Sequence, residues 1–190
     1  FMDGVMFMHS ARLPAMRAVL DDGRTVGDIR RVSSQFSFAA PPEFFAGNIR
    51  ADAALEPLGC LGDLGWYNVR FSLWALDYRP PDRVTGRVLA DHHGVPVEFA
   101  GELLYPGGVT AGFYCSFRTE LQQWAHVSGA KGSLRLSDFV LPRYGAEAAF
   151  ETETPVFHVA GTAFHMEGHP VRHAVREYAD GHPTAQEANM

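Results

Sequence analysis

The sequence predicts an α+β domain: a large, mostly antiparallel β-sheet with helices on one face. Two observations carry that expectation. Two helical patterns come first and a run of strand patterns follows, the order of an α+β chain rather than of alternating βα units. Hydrophobic residues make up 46% and charged residues 20% of the 190 residues, so a core of useful size is available without disulfide staples.

The elements follow in chain order. Ser10–Leu20 reads as a first helix: Ser10 can cap it, Pro14 falls near its first turn, and Leu13, Met16, Val19 and Leu20 repeat at helical spacing. Gly23 ends it. Asp28–Phe38 alternates, with Val32, Ser34, Phe36 and Phe38 on one side. Ala40-Pro41-Pro42 breaks that strand, and an irregular stretch runs to Gly59. Leu61–Leu76 reads as a second helix, rich in aromatics. Strands are then expected over Val84–Asp91, Val95–Tyr105 and Val109–Phe117, the last two joined tightly by Pro106-Gly107-Gly108. Gln122–Ser128 and Ser133–Phe139 form a hairpin around Gly129-Ala130-Lys131-Gly132, and Ala148–Val159 reads as one more strand. Val97, Phe99 and Leu103 alternate with the apolar Ala100 and Leu104, so the sheet face away from the helices is expected to be covered by a partner subunit in a homo-oligomer.

Gly161–Met190 carries four histidines and weak periodicity, and Thr184–Met190 resembles a helix start. The chain is therefore read as a single domain, 1–190, cut at both ends. His165, His169 and His173 stand at i, i+4 and i+8, but Gly168 and Pro170 argue against the continuous helix that would gather them, so no metal site is expected.

A net charge of −6 with scattered basic residues gives no footprint for nucleic acid or for an anionic membrane. The opening residues lack a signal-peptide pattern, and no apolar stretch is long enough to span a bilayer. Two cysteines, Cys60 and Cys115, suit a reducing, cytoplasmic setting and buried, inert thiols. Trp66, Trp74 and Trp124 are expected in core or interface positions.

The chemically informative segment is Gly59-Cys60-Leu61-Gly62-Asp63-Leu64-Gly65-Trp66-Tyr67. A helix beginning near Gly62 puts Asp63 and Tyr67 on one face at i and i+4, with Asp63 where the helix dipole favours a carboxylate. A phenol beside a carboxylate can bind a hydroxyl and handle its proton. On spacing alone the alternative, a capping Asp and a buried core Tyr, stays open. The G-x-x-G-x-x-G spacing is not a dinucleotide fingerprint, and G-x-G-x-x-G occurs nowhere in the chain.

The sequence also resembles the Gfo/Idh/MocA oxidoreductase family, segment by segment and in order. Met2–His9 followed by Arg12 is similar to the stretch after that family's cofactor domain, and Asn48-Ile49-Arg50 to its Arg-bearing loop. Gly62–Tyr67 resembles its D-x-G-x-H/Y signature, Phe113–Phe117 its strand ending in Cys-Ser-Phe, Gly129–Leu134 its glycine hairpin, and Gln186–Met190 the start of its closing helix. Tyr rather than His at position 67 places the resemblance in the dihydrodiol dehydrogenase and glucose-fructose oxidoreductase branch.

The resemblance implies the fold of that family's C-terminal domain, with the N-terminal Rossmann domain that binds NAD or NADP, and its Glu-Lys-Pro segment, absent from this chain. It implies an enzyme that moves a hydride between the nicotinamide and a secondary alcohol or ketone of a sugar, cyclitol or dihydrodiol. By the same resemblance Tyr67 transfers the proton, Asp63 orients the substrate, and Arg50, His9 and Arg12 contact it. A phenol with a reference pKa of about 10 needs a nearby cation to act as a base; Arg50 is the local candidate. The alternatives are a core hydroxyl for Tyr67, a surface ion pair for Arg50, and solvated ends of the first helix for His9 and Arg12. The rival for the whole chain is a non-catalytic module that binds a small molecule or oligomerises.

Overall fold

A computed structural model describes residues 4–142 and 147–176. Among the described residues, eight strands hydrogen-bond in the order β10-β7-β6-β5-β1-β4-β3-β2, and β8 pairs with β9 alone. The strands are β1 (Ile29–Ser37), β2 (Arg83–His92), β3 (Val95–Leu104), β4 (Thr110–Ser116), β5 (Gln122–Gly129), β6 (Ser133–Leu136), β7 (Glu147–Glu153), β8 (Val156–Ala160), β9 (Ala163–Glu167) and β10 (Pro170–Arg176). The helices are α1 (Arg12–Asp21), a short α2 (Pro42–Gly47) and α3 (Trp66–Ala75). The α+β expectation and the mostly antiparallel sheet hold, with one exception: β1 and β4 run parallel, Val32 opposite Ala111 and Phe36 opposite Cys115. No described helix is long and apolar enough to cross a membrane.

The chain divides into two compact units, Phe1–Arg30 with His126–Met190, and Arg31–Ala125. In the first, α1 buries Leu13, Met16 and Leu20, the i, i+3, i+7 stripe of an amphipathic helix. Phe7 meets Phe139 edge-on at 5.6 Å. The β5–β6 hairpin needs both of its glycines: a Cβ on Gly129 would stand 2.2 Å from the Val26 carbonyl oxygen, and one on Gly132 2.3 Å from that of Glu153. The expected strand over 148–159 is two strands, β7 and β8, broken at Thr154-Pro155. The histidine tail, read as weakly periodic, supplies β9 and β10. His165 lies in β9 and His173 in β10, which removes the helical geometry a metal site there would need. The expected helix start at Thr184–Met190 lies outside the described residues.

In the second unit β2 and β3 form a hairpin whose two-residue loop, His93 (φ 51°) and Gly94 (φ 87°), has the positive φ pair that matches strand twist. Val97, Leu103, Ala111, Phe113 and Cys115 are buried on one face. The start of α3 lies against that face, where a Cβ on Gly65 would stand 3.3 Å from the Cys115 sulfur. The other face differs from the expectation that both are apolar. Pleating puts Arg31, Glu98, Glu102, Thr110 and Tyr114 there, beside Pro96, Ala100 and Leu104 as the apolar side chains of β3 on that side. Arg31 pairs with Glu102 at 2.9 Å and donates to Thr110 at 2.8 Å, and the Tyr114 hydroxyl donates to Glu98 at 2.7 Å.

Candidate functional site

The site lies in the second unit, where the expected continuous helix over 61–76 is instead a turn of π-helix, Leu61–Gly65, running into α3. Hydrogen bonds that reach back five residues widen this turn, and such turns are frequent at functional positions. Its entry is fixed by Gly59. There φ is +50°, and a Cβ would stand 2.2 Å from the Pro96 carbonyl oxygen and 2.5 Å from Val95 Cγ1, so only glycine fits.

The turn carries Asp63, and Tyr67 follows in the first turn of α3. Arg50 arrives from the 3₁₀ turn Ile49–Ala51, whose start is capped by Asn48: its side-chain oxygen accepts the Arg50 backbone N–H at 3.0 Å. Arg50 Nε then lies 2.8 Å from Asp63 Oδ1. Arg50, Asp63 and Tyr67 line one cleft of about 250 Å³ with Leu64, Phe36, Phe38 and Phe44.

The electrostatics follow from this placement. Asp63 holds the Arg50 guanidinium above its ordinary pKa. Tyr67 is half-buried, its ring edge-on to Phe36 at 5.4 Å. Burial first, and the Asp63 carboxylate second, raise the pKa of its phenol; Arg50 pulls the other way. At neutral pH the phenol keeps its proton and is a donor; to serve as a base it leans on the cation beside it.

Three residue types expected at the site, Arg50, Asp63 and Tyr67, are thus brought together. His9 and Arg12 lie in the other unit. His9 is half-buried at the end of the 3₁₀ turn Met6–His9. Arg12 is neither a solvated helix end nor open to a ligand. It is 2% exposed, pairs with Asp138 at 2.7 Å, and donates to the backbone oxygens of Asp138 and Ala149. A buried guanidinium needs such partners, and they give Arg12 a packing role inside its own unit. The phenylalanine lining was missed from the sequence. Alternation in β1 does put Phe36 and Phe38 on one face, but Phe44 sits on α2, within a stretch read as irregular. Cys60 and Cys115, both free and buried, touch: the Cys115 thiol donates to Cys60 Sγ at 4.0 Å, which with burial pushes the Cys115 pKa up and leaves it inert. Trp74 is buried as expected, whereas Trp66 is 48% exposed.

Residues 14–135, which include the whole cleft, match the family described as GFO/IDH/MocA C-terminal domain. The chain belongs to the Gfo/Idh/MocA family. Among its relatives is the trans-1,2-dihydrobenzene-1,2-diol dehydrogenase of Mus musculus, 30% identical over 141 residues, which are 74% of this chain and 40% of that protein. The Homo sapiens enzyme of the same name is 32% identical over 127 residues, 64% of this chain and 35% of that protein. Of solved Gfo/Idh/MocA-like folds, the 3-ketoreductase KijD10 from Actinomadura kijaniata, in complex with NADP and TDP-benzene, superposes with a TM-score of 0.74 at 20% identity, over 99% of this chain and 51% of that one. The aldose-aldose oxidoreductase of Caulobacter crescentus, complexed with glycerol, gives 0.71 at 19% identity, over 98% and 50%. The chain therefore spans 40% or less of these curated relatives and about half of these solved chains.

Proposed function

We propose that this chain is the substrate-holding part of an NAD(P)-dependent oxidoreductase acting on a secondary alcohol or its ketone, carried by a sugar, cyclitol or dihydrodiol. The observation that carries the reading is the Arg50–Asp63 ion pair set beside the half-buried Tyr67 in an aromatic-walled cleft. The relatives' names support it: dihydrodiol dehydrogenases by sequence, ketone and aldose oxidoreductases by fold.

A dinucleotide does not fit the residues present. The cleft of about 250 Å³ suits a small ring, and the sequence has no phosphate-cradling G-x-G-x-x-G loop. The proposal places the cofactor on a segment outside this chain, where it would accept or return the hydride. The chain's own residues do the rest. Asp63 accepts a hydrogen bond from a substrate hydroxyl and orients it. Tyr67 takes the proton of the reacting hydroxyl in oxidation, as a phenolate, and returns it to the developing alkoxide in reduction, as a phenol. Arg50 favours the phenolate and holds Asp63 in place. The phenylalanines exclude water from one side. His9, half-buried in the first unit, is a further proposed substrate contact, and Arg12, buried against Asp138, packs that unit. We also propose a homo-oligomer through the polar sheet face of the second unit, where a shallow concavity of about 520 Å³ is lined by Arg31, Thr85, Arg87, Glu102, Tyr114 and Trp124.

Tyr67→Phe in the full-length protein tests the chemistry. Removing only the hydroxyl keeps the ring's packing, so the melting temperature holds while turnover of trans-1,2-dihydrobenzene-1,2-diol or glucose falls by about two to four orders of magnitude. Unchanged turnover with a lowered melting temperature makes Tyr67 a core residue, and the chain a non-catalytic module.

A further inference from the structure

Asn68, next to Tyr67, is fully buried, and no catalytic role uses it. Its side-chain amide donates to the Leu64 carbonyl, four residues back and inside the π turn, at 3.0 Å. Its own backbone carbonyl accepts the Ser72 hydroxyl at 2.9 Å, also buried. Its remaining side-chain oxygen, Oδ1, is buried with no hydrogen-bond partner among the described residues. An orphaned buried oxygen is unfavourable, and a leucine, of the same branched shape though larger, would avoid it. The amide bond to Leu64 is what the asparagine offers in return.

We propose that Asn68 is a positioning residue: it locks the turn carrying Asp63 in its π form and so sets Asp63 against Arg50. This rests on the reading of Arg50, Asp63 and Tyr67 as the reacting site. The bond ties residue 64 to residue 68 across the junction where the π turn becomes α-helix. Without it a buried carbonyl loses its side-chain donor, and the turn is free to tighten to the α register. Tightening removes one residue from the turn, so residues before the junction rotate by about 100° about the axis relative to those after it. Asp63 lies before the junction and Tyr67 after it. The rotation carries the carboxylate away from the Arg50 Nε that it meets at 2.8 Å. Ser72 shows that this helix accommodates a hydroxyl bonded to a carbonyl four residues back, which points to serine as the conservative replacement at 68.

The test uses the full-length protein with trans-1,2-dihydrobenzene-1,2-diol and NADP⁺ as probes, and follows the Arg50 Nε–H by ¹⁵N NMR. Asn68→Leu removes the orphaned oxygen but adds volume at a buried site, so its melting temperature is expected to stay near that of the parent. It should lower kcat/KM by about 10- to 100-fold, the scale of a misplaced reacting group, and, like Asp63→Asn, it should speed the exchange of the Arg50 Nε–H. Asn68→Ser is expected to restore the Arg50 signal and most of the rate. An Asn68→Leu protein with unchanged kcat/KM and an unchanged Arg50 signal overturns the proposal. Should the leucine variant fail to fold, the Asn68→Ala and Asn68→Ser pair, differing by one hydroxyl, answers the same question. Should Tyr67→Phe keep its turnover, the chemical reading fails separately and the Arg50 signal alone decides: faster exchange in Asn68→Leu upholds the positioning role, and unchanged exchange ends it.

Discussion

Arg50 and Asp63 affect Tyr67 with opposite sign, and this gives a prediction that a merely structural ion pair would not share. The pair is close, at 2.8 Å, but its side chains are 44% and 22% exposed. Pairs this open to solvent contribute about 0.2–1 kcal/mol. Arg50→Leu or Asp63→Asn should therefore lower the melting temperature by no more than about 4 °C for a domain of this size. The chemical effect is of another kind. Arg50 pulls the Tyr67 pKa down and Asp63 pushes it up. Alcohol oxidation needs the phenolate, so kcat/KM for oxidation rises as pH climbs through the Tyr67 pKa. Removing Arg50 moves that rise to higher pH; removing the charge of Asp63 moves it to lower pH. Ketone reduction needs the phenol, and its alkaline decline shifts in the same two directions. Steady-state rates against pH, on full-length protein whose melting temperature has been measured, check both parts. Profiles that move the same way in the two variants, or a loss of stability of several kcal/mol, would refute the assignment.

Two further predictions concern scaffold and assembly. Gly59→Ala combines positive φ with a Cβ against the Pro96 backbone, and should cost about 2–5 kcal/mol in a denaturant titration. Gly107→Ala, at φ +74° with nothing within 4 Å, isolates the backbone part at about 1–2 kcal/mol. If the polar sheet face joins subunits, light scattering should find a closed oligomer that weakens with salt and with Arg31→Glu, and a persistent monomer at high micromolar concentration would end that proposal.

Where side chains alternate against a buried face, the sequence showed the strands within a residue or two. β3 and β4 are examples: Val97, Leu103, Ala111 and Phe113 mark the covered side and Glu98, Glu102 and Tyr114 the other. β9 escaped, as did the break that separates β8 from β7, because every residue of β9 and all but Val156 of β8 are exposed, so burial imposed no alternation on them. The parallel pairing of β1 with β4 joins segments more than 70 residues apart, and no local pattern encodes such a partner. Within the site, Asp63, Tyr67 and Arg50 were legible because they stand in motifs. Phe44 and Asn68 were not. The first matters through its place in a cleft, the second through one hydrogen bond in a turn whose π form no apolar period announces.

The uneven distribution of regularity in the second unit is itself an argument about function. β3 and β4 alternate in matched register against a buried face. The segment from Gly59 to Asn68 is irregular at three points within ten residues: a positive φ held against a carbonyl, a turn wider than α-helix, and a buried oxygen without a partner among the described residues. Gly59 takes its positive φ without strain but fixes the residue type there, and the buried oxygen is unfavourable for folding by about 1–3 kcal/mol. An Arg50–Asp63 pair this exposed does not offset that cost. A chain selected for stability alone would relax the turn and place a leucine at 68. What the irregular geometry achieves instead is one carboxylate, one guanidinium and one half-buried phenol facing a single small cleft. The departures are concentrated on the residues that hold those three groups, as expected where position of reacting atoms, rather than packing, set the local sequence.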